Sequence, residues 1–252
     1  MADWASLQSE LRIWQSEGLS LPFWWRDDDA ISDTPALREL AGLAASAGLP
    51  VHIAVIPAHA DNTLSAYLAG TPDLSPLVHG WAHENHAPMG QKKAEFGAHR
   101  PINALRDDAE RGFGKLYGLF GSRLQPVFVP PWNRIASELV PELPALGYRV
   151  LSTATPRAHR WAAEGLKQVN THIDPIDWKG TRGLIDEETL ISKVTGLLRD
   201  RRTGVTDATE PLGLLTHHLV HDPAIWSFCA RLVDLFLSGP AHPWHISEGD
   251  TV

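Results

Sequence analysis

Seven short apolar runs alternate with helix-like patterns along the chain, and this rhythm narrows the possible folds more than any other feature of the sequence. The strand-like runs are 21–26, 50–56, 74–79, 126–129, 148–152, 166–172 and 211–216. Helical patterns lie near 34–47, 62–69, 102–120, 135–146, 187–200 and 223–237. Strand followed by helix, repeated without a break in composition, calls for a largely parallel sheet with helices packed outside it. A barrel and an open doubly wound sheet both satisfy that rule. Ahead of the first strand, Trp4, Leu7, Leu11 and Trp14 recur three and four apart, which predicts an amphipathic helix within 1–18 packed on the body of the domain. Asp33-Thr34-Pro35 and Asp222-Pro223 read as helix starts, with proline just inside the cap. One domain over 1–252 is expected, because this length suits an α/β barrel and no linker or repeat divides it.

The polar clusters fall at regular places on this scheme. Asp27-Asp28-Asp29 follows the first strand, and His79 to His86 follows the third. Pro130, Pro131, Trp132, Asn133 and Arg134 follow the fourth, Asp174 to Trp178 the sixth, and His217-His218 the seventh. Every cluster therefore lies just past the C-terminal end of an expected strand, the rim on which parallel sheets and barrels build their active sites. The longest stretch without a clear pattern, 80–101, is rich in His, Gly, Pro and Lys, and long loops of this kind in compact domains are usually functional.

The residue types in these clusters suit metal-assisted hydrolysis. Two histidines four apart, His79 and His83, lie on one face if the segment is a helical turn, and can grip one ion together. With 13 histidines in the chain, such spacing also arises by chance, so its weight comes from what surrounds it. Three adjacent aspartates cannot all ionise cheaply without a cation nearby. One can be a ligand and its neighbour a general base, since successive side chains at a strand end point in different directions. An acidic helix N-cap region is the plainer alternative. His217 is the candidate general acid, histidine being the residue type most used for that task; His218 is its rival and His221 a weaker one.

Composition bounds the rest. The hydrophobic share of 43% and charged share of 21% belong to a globular protein with a sizeable core. A net charge of −8 argues against nucleic acid or an anionic membrane as partner. The single cysteine, Cys229, rules out a cysteine zinc site and sits in what reads as the buried face of a helix. No basic n-region or apolar h-region opens the chain, and 42–58 is interrupted by Gly48, Pro50, His52 and Pro57, so a cytoplasmic protein is expected.

Taken together, these residues resemble the polysaccharide deacetylase family (carbohydrate esterase family 4). The family's first motif, Thr-Phe-Asp-Asp-Gly, is similar to Trp25-Arg26-Asp27-Asp28-Asp29, with Thr34-Pro35 at the usual distance downstream. His79 and His83 resemble the second motif, Val129-Pro130-Pro131-Trp132 the third, Asp174, Asp177 and Trp178 the fourth, and Leu215-Thr216-His217 the fifth. The resemblance implies a distorted seven-stranded (β/α) barrel. It implies Asp27 as catalytic base, His217 as catalytic acid, and Asp28, His79 and His83 as ligands of one divalent metal. Zinc is expected, with cobalt, manganese, nickel and iron also suited to these ligands. The implied reaction is removal of an acetyl group, most often N-acetyl, from a sugar or oligosaccharide. Asp29, His86, Pro131, Trp132, Arg134, Asp174, Asp177, Trp178 and His218 are candidates for substrate-binding or supporting roles.

Three departures mark a divergent member. Asp29 replaces the first motif's glycine, which leaves open a register in which Asp28 and Asp29 do the work. Val129 replaces the third motif's arginine, whose place Arg26 or Arg134 can fill. His86 is an additional imidazole. Trp25, Trp81, Trp132 and Trp178, of ten tryptophans, flank motif positions as core residues or sugar-facing walls, with Trp132 the chief candidate for a substrate contact. Two other readings stand beside the deacetylase: a hydrolase of another non-peptide C–N bond such as a ureide or cyclic amide, and a catalytically silent carbohydrate-binding protein. A two-histidine, one-carboxylate iron oxygenase is disfavoured by the strand–helix alternation.

Overall fold

A computed structural model describes residues 3–246; the outermost positions of the domain expected over 1–252 lie outside the described residues. The helices are α1 (Ala5–Ser16), α2 (Pro35–Ala47), α3 (Asn62–Ala69), α4 (Ile102–Phe120), α5 (Glu187–Arg202) and α6 (Pro223–Leu237). The strands are β1 (Leu21–Ala30), β2 (Val51–Val55), β3 (Leu74–His79), β4 (Val127–Val129), β5 (Val150–Leu151), β6 (Trp161–Ala163), β7 (Leu166–Gln168), β8 (Leu212–Thr216) and β9 (Ala241–Pro243). Among the described residues no helix is long and apolar enough to cross a membrane.

The sheet runs β6-β7-β5-β4-β3-β2-β1-β8, with β9 beside the start of β1. All pairings are parallel except β6 with β7. Its two ends meet. The chain beyond β7 pairs with β8 at Ile173 and Leu214, where Ile173 N–H donates to Gly213 and Leu215 N–H donates to Ile173. This contact closes β1, β2, β3, β4, β5, β7 and β8 into a distorted (β/α) barrel of seven strands. The antiparallel β6 and the terminal β9 were not foreseen from sequence. The helix expected near 135–146 is instead a 3₁₀ segment, Val140–Leu146, because Pro141 and Pro144 remove backbone donors and crowd the preceding turn.

Strand alternation divides the buried residues into two layers. Trp24, Ala54, Leu77, Val127, Val129, Val150 and Val169 fill the barrel, with Ile246 packed among them. Phe23, Trp25, Ile53, Val78 and Phe128 point the other way, into the layer shared with the helices. There α6 alone buries Ile225, Phe228, Cys229, Leu232, Val233 and Phe236, each large apolar side chain stabilising the fold by about 1.5–3 kcal/mol. The expected caps form: Thr34 accepts from Leu37 N–H at 3.1 Å and Asp222 from Ile225 N–H at 2.8 Å, each with proline at the next position. Leu7, Leu11 and Trp14 are buried along α1, and Trp4, at its N-cap, is buried with them.

Candidate metal centre and its pocket

The same alternation separates the three aspartates. Trp24, Arg26 and Asp28 share the inner face of β1, and Asp27 follows Trp25 toward the helix layer. Asp27 is completely buried. It accepts hydrogen bonds from Thr216 Oγ1 at 2.6 Å and His218 N–H at 3.0 Å, and from His218 Nδ1, which must carry its proton to face a carboxylate. Burial works to raise the Asp27 carboxyl, but the His218 imidazole and these hydrogen bonds win and hold it below the usual range.

Asp28 points into the barrel mouth and is gripped by Arg26. Nε donates to Oδ1 at 2.9 Å and Nη2 to Oδ2 at 3.0 Å. Pairing of β1 with β2 is then broken between Asp27 and Ala30. Asp29 occupies this irregularity with φ 75°, and a bulge of this kind re-aims a side chain. Its carboxylate swings toward the histidines. The structure thus gathers Asp29, rather than Asp28, with His79 and His83: one ligand atom from each of the three lies within 4.8 Å of the others.

The histidine pair does not lie on a helical turn, as its spacing suggested. His79 ends β3, and the chain turns back at once through Gly80 (φ 57°) to His83 (φ 57°). The buried Glu95 holds the turn by accepting from Ala82 N–H at 2.7 Å and Trp81 N–H at 3.2 Å. A Cβ on residue 80 would lie 2.3 Å from Glu95 Oε2 and 2.5 Å from Pro131 Cδ. Glu95, in the long loop, had no motif to point it out.

The atoms at the centre face one another in a way that suits a cation. His79 Nδ1 lies 3.0 Å from the Val129 carbonyl, which can only accept, so in the neutral ring the Nε2 lone pair points out. That Nε2 lies 3.2 Å from Asp29 Oδ1, and His83 Nε2 lies 3.3 Å from the same oxygen. Asp29 Oδ1 is buried and receives no aligned hydrogen bond. Lone pairs brought this close repel unless a proton or a cation sits among them. Burial works to lower the basicity of His79, yet the Asp28 and Asp29 carboxylates outweigh it and the ring is raised. His83 is lowered by burial and by His79. For Asp29 burial is overcome by His79 and by the charges of His217 and His83, which hold the carboxyl far below its usual range. Two imidazoles and one carboxylate leave further coordination positions open, and they match the borderline character of zinc and its neighbours.

A pocket of about 670 Å³ opens over this centre. Asp28, Asp29, His79, His83, Trp132, Asn133, Arg134, Asp174, Trp178, Leu215 and His217 line it, together with Lys93 and Arg182, which the sequence did not single out. The His83 ring lies 4.4 Å from Trp132, and that of His217 lies 4.7 Å from Trp178, in edge geometry. Trp178 Nε1 donates to Asp174 at 2.8 Å. Burial raises the Asp174 carboxyl against the pull of His217. Six non-glycine residues among those described hold a positive φ: Asp29, His83, Trp132, Asn133, Thr155 and Arg182. All but Thr155 line this pocket. Each such conformation costs about 1–3 kcal/mol and persists where surrounding structure enforces it, as at functional sites.

The other candidates lie apart from the pocket. His86 is exposed and does not line it. His218 is buried against Asp27, and Pro131 is buried beneath Gly80. Asp177 accepts from Gly180 and Thr181 N–H at 3.1 Å each and builds a turn. Trp25 is a core residue, and Trp81 packs under Arg111, whose guanidinium carbon lies 4.0 Å from the ring centre.

No family model matches the sequence, and no curated protein matches it. Solved structures do match in shape. A family 4 carbohydrate esterase from Streptomyces lividans, in complex with acetate, is 14% identical with a TM-score of 0.58, over 90% of this chain and 94% of that one. A CE4 esterase from Streptococcus mutans is 9% identical with a TM-score of 0.58, over 92% and 87%. The peptidoglycan deacetylase PdaC from Bacillus subtilis, solved as a mutant, is 12% identical with a TM-score of 0.54, over 89% and 87%. At these identities the likeness shows the fold: the chain has the (β/α) barrel fold of the carbohydrate esterase family 4 deacetylases.

Proposed function

We propose that this protein is a metal-dependent hydrolase that removes an acetyl group, most readily from an amide nitrogen, from a sugar or oligosaccharide. The observation that carries the reading is the convergence of Asp29, His79 and His83 on one point, beside the Arg26-held Asp28 and at the base of the pocket that His217 also lines. In this arrangement Asp29, His79 and His83 hold one divalent ion, zinc by the nature of the donors. Bound there, the ion supplies Lewis-acid activation of the acyl carbonyl and of water.

The chain's own groups supply the proton transfers. Asp28 is fixed by Arg26 through both its oxygens, and this steadies it as the base that takes the proton from attacking water. His217, which lines the same pocket and packs against the Trp178 ring in T-shaped geometry, donates a proton to the departing amine. Asp27 grips Thr216 and His218, the two neighbours of His217, and so positions the acid without touching substrate. Trp132 and Trp178 present apolar faces suited to the C–H surface of a sugar ring.

The test combines metal analysis of the purified protein with acetate release from a panel of N-acetylated sugars. Stoichiometric zinc with acetate release, lost in Asp28→Asn and His217→Ala, supports the reading. Zinc without acetate release from any glycan turns attention to other C–N bonds, and failure to bind zinc at all removes the hydrolase.

A further inference from the structure

We propose that the substrate carries an anionic group, and that Lys93, Arg134 and Arg182 at the pocket mouth select it. This rests on the deacetylase reading for the reaction, but on different residues for the selectivity. The chain is acidic overall, with a net charge of −8, yet three cations line this pocket. Among the described residues none of the three has a carboxylate within ion-pair reach. The carboxylates deeper in the pocket are engaged elsewhere: Asp28 by Arg26, Asp29 by the histidines, Asp174 by the Trp178 indole and the Ile176 N–H.

The cations are placed by built structure. Lys93 Nζ lies 6.0 Å from the centre of the Trp132 ring, and the Arg182 guanidinium carbon 5.6 Å from that of Trp178. Each tryptophan wall therefore ends in a positive charge, one on the His83 side and one on the His217 side. Arg134 Nη1 donates to the Lys93 carbonyl at 2.6 Å and ties that segment to the pocket. Arg182 is held at φ 62° by the Asp177 turn, in which its N–H donates to the Asp177 carbonyl at 3.0 Å. A non-glycine residue held in this conformation is costly, and the turn spends it on presenting a guanidinium to the pocket. Guanidinium and ammonium groups left unpaired beside an aromatic wall suit a carboxylate or a phosphate on a sugar.

Three short acetylated amino-sugar substrates of equal length separate the possibilities: one neutral, one bearing a carboxylate and one bearing a phosphate monoester. With the zinc-loaded protein at low salt, at least one anionic substrate is expected to exceed the neutral one in kcat/KM by about tenfold. The preferred arm identifies the group, and the preference shrinks as ionic strength rises. In the Lys93→Gln/Arg182→Gln double variant, both positions being exposed, the anionic-to-neutral ratio falls toward one. Equal kcat/KM for the three substrates, or a ratio unmoved by the double variant, overturns the proposal. If no substrate releases acetate, the proposed reaction has failed, and selectivity is read from calorimetric affinity for the same three sugars. Tighter binding of an anionic sugar, lost in the double variant, then sustains the inference, and equal affinities end it.

Discussion

Arg26 and Asp28, two positions apart on β1, share one face of the strand and are joined by two parallel hydrogen bonds of 2.9 and 3.0 Å. The guanidinium is completely buried. Its remaining hydrogens reach Ser152 Oγ at 2.8 Å, the Thr153 carbonyl at 3.2 Å and Asn133 Oδ1 at 2.7 Å. One side chain thus fixes the carboxylate from within the barrel and ties it to two other strand ends. Arg26→Met leaves that carboxylate without a partner and is expected to cost about 3–5 kcal/mol in urea unfolding. Arg26→Lys keeps the charge and recovers part of that stability. It does not recover acetate release, because an ammonium cannot hold both oxygens in a fork.

Asp27 accepts three hydrogens, from Thr216 and twice from His218. Asparagine offers one oxygen, so its NH2 must face at least one of those donors. Asp27→Asn is expected to lose about 3 kcal/mol of stability while still binding zinc, since Asp27 does not line the pocket. Unchanged unfolding together with abolished turnover would instead make Asp27 the base.

Gly80 tests the turn that brings His83 to His79. In Gly80→Ala the new methyl meets Pro131, which is rigid and buried, as well as Glu95. Weakened zinc affinity and a lower melting temperature are expected. Gly90→Ala is the control: its φ is also positive, at 83°, but nothing lies within 4 Å of the added carbon. That variant should lose only about 1–2 kcal/mol and keep its zinc affinity.

His52 gives the fold a pH dependence of its own. It lies inside the barrel, with Nδ1 facing the Trp25 carbonyl at 3.3 Å and Nε2 accepting from Ile246 N–H at 3.3 Å. Only the neutral ring satisfies both, and burial lowers its pKa to about 4. Above pH ~6.5, the ordinary value, folded and unfolded chains both hold it neutral. As pH falls toward 4, the unfolded chain gains a proton that the folded one refuses, so stability drops by up to about 3 kcal/mol. Denaturant unfolding at pH 7 and pH 5 should show a smaller difference in His52→Gln than in the wild type, and equal differences would remove His52 as the cause.

Most of the fold was legible because apolar periodicity reports the burial that defines strands and helices: α3, α4 and α6 fall where the pattern put them. The short β6 and β9 escaped because three residues carry too little periodicity, and Pro141 and Pro144 converted an expected helix to a tighter one. The rim was legible as well, since polar clusters after strands are a sequence property. Where each aspartate points was not, although Asp29 in place of the motif's glycine left the shifted register open. Alternation separates Asp27 from Asp28 in any strand, but the side on which each falls depends on the barrel, and the turn of Asp29 depends on a bulge with no signature in its residues. Lys93 and Arg182 were hidden for another reason: Trp178 is near Arg182 in sequence but Trp132 is far from Lys93, and in both cases a lone surface cation has no pattern to recognise.

Zinc titration of Asp28→Asn and Asp29→Asn, side by side with the wild type and followed by calorimetry, tests the assignment of the metal centre most directly. With Asp29 as the ligand, Asp29→Asn loses at least about tenfold in zinc affinity, while Asp28→Asn binds zinc much as the wild type does and loses acetate release. The reverse pattern, with affinity lost in Asp28→Asn and kept in Asp29→Asn, would contradict it.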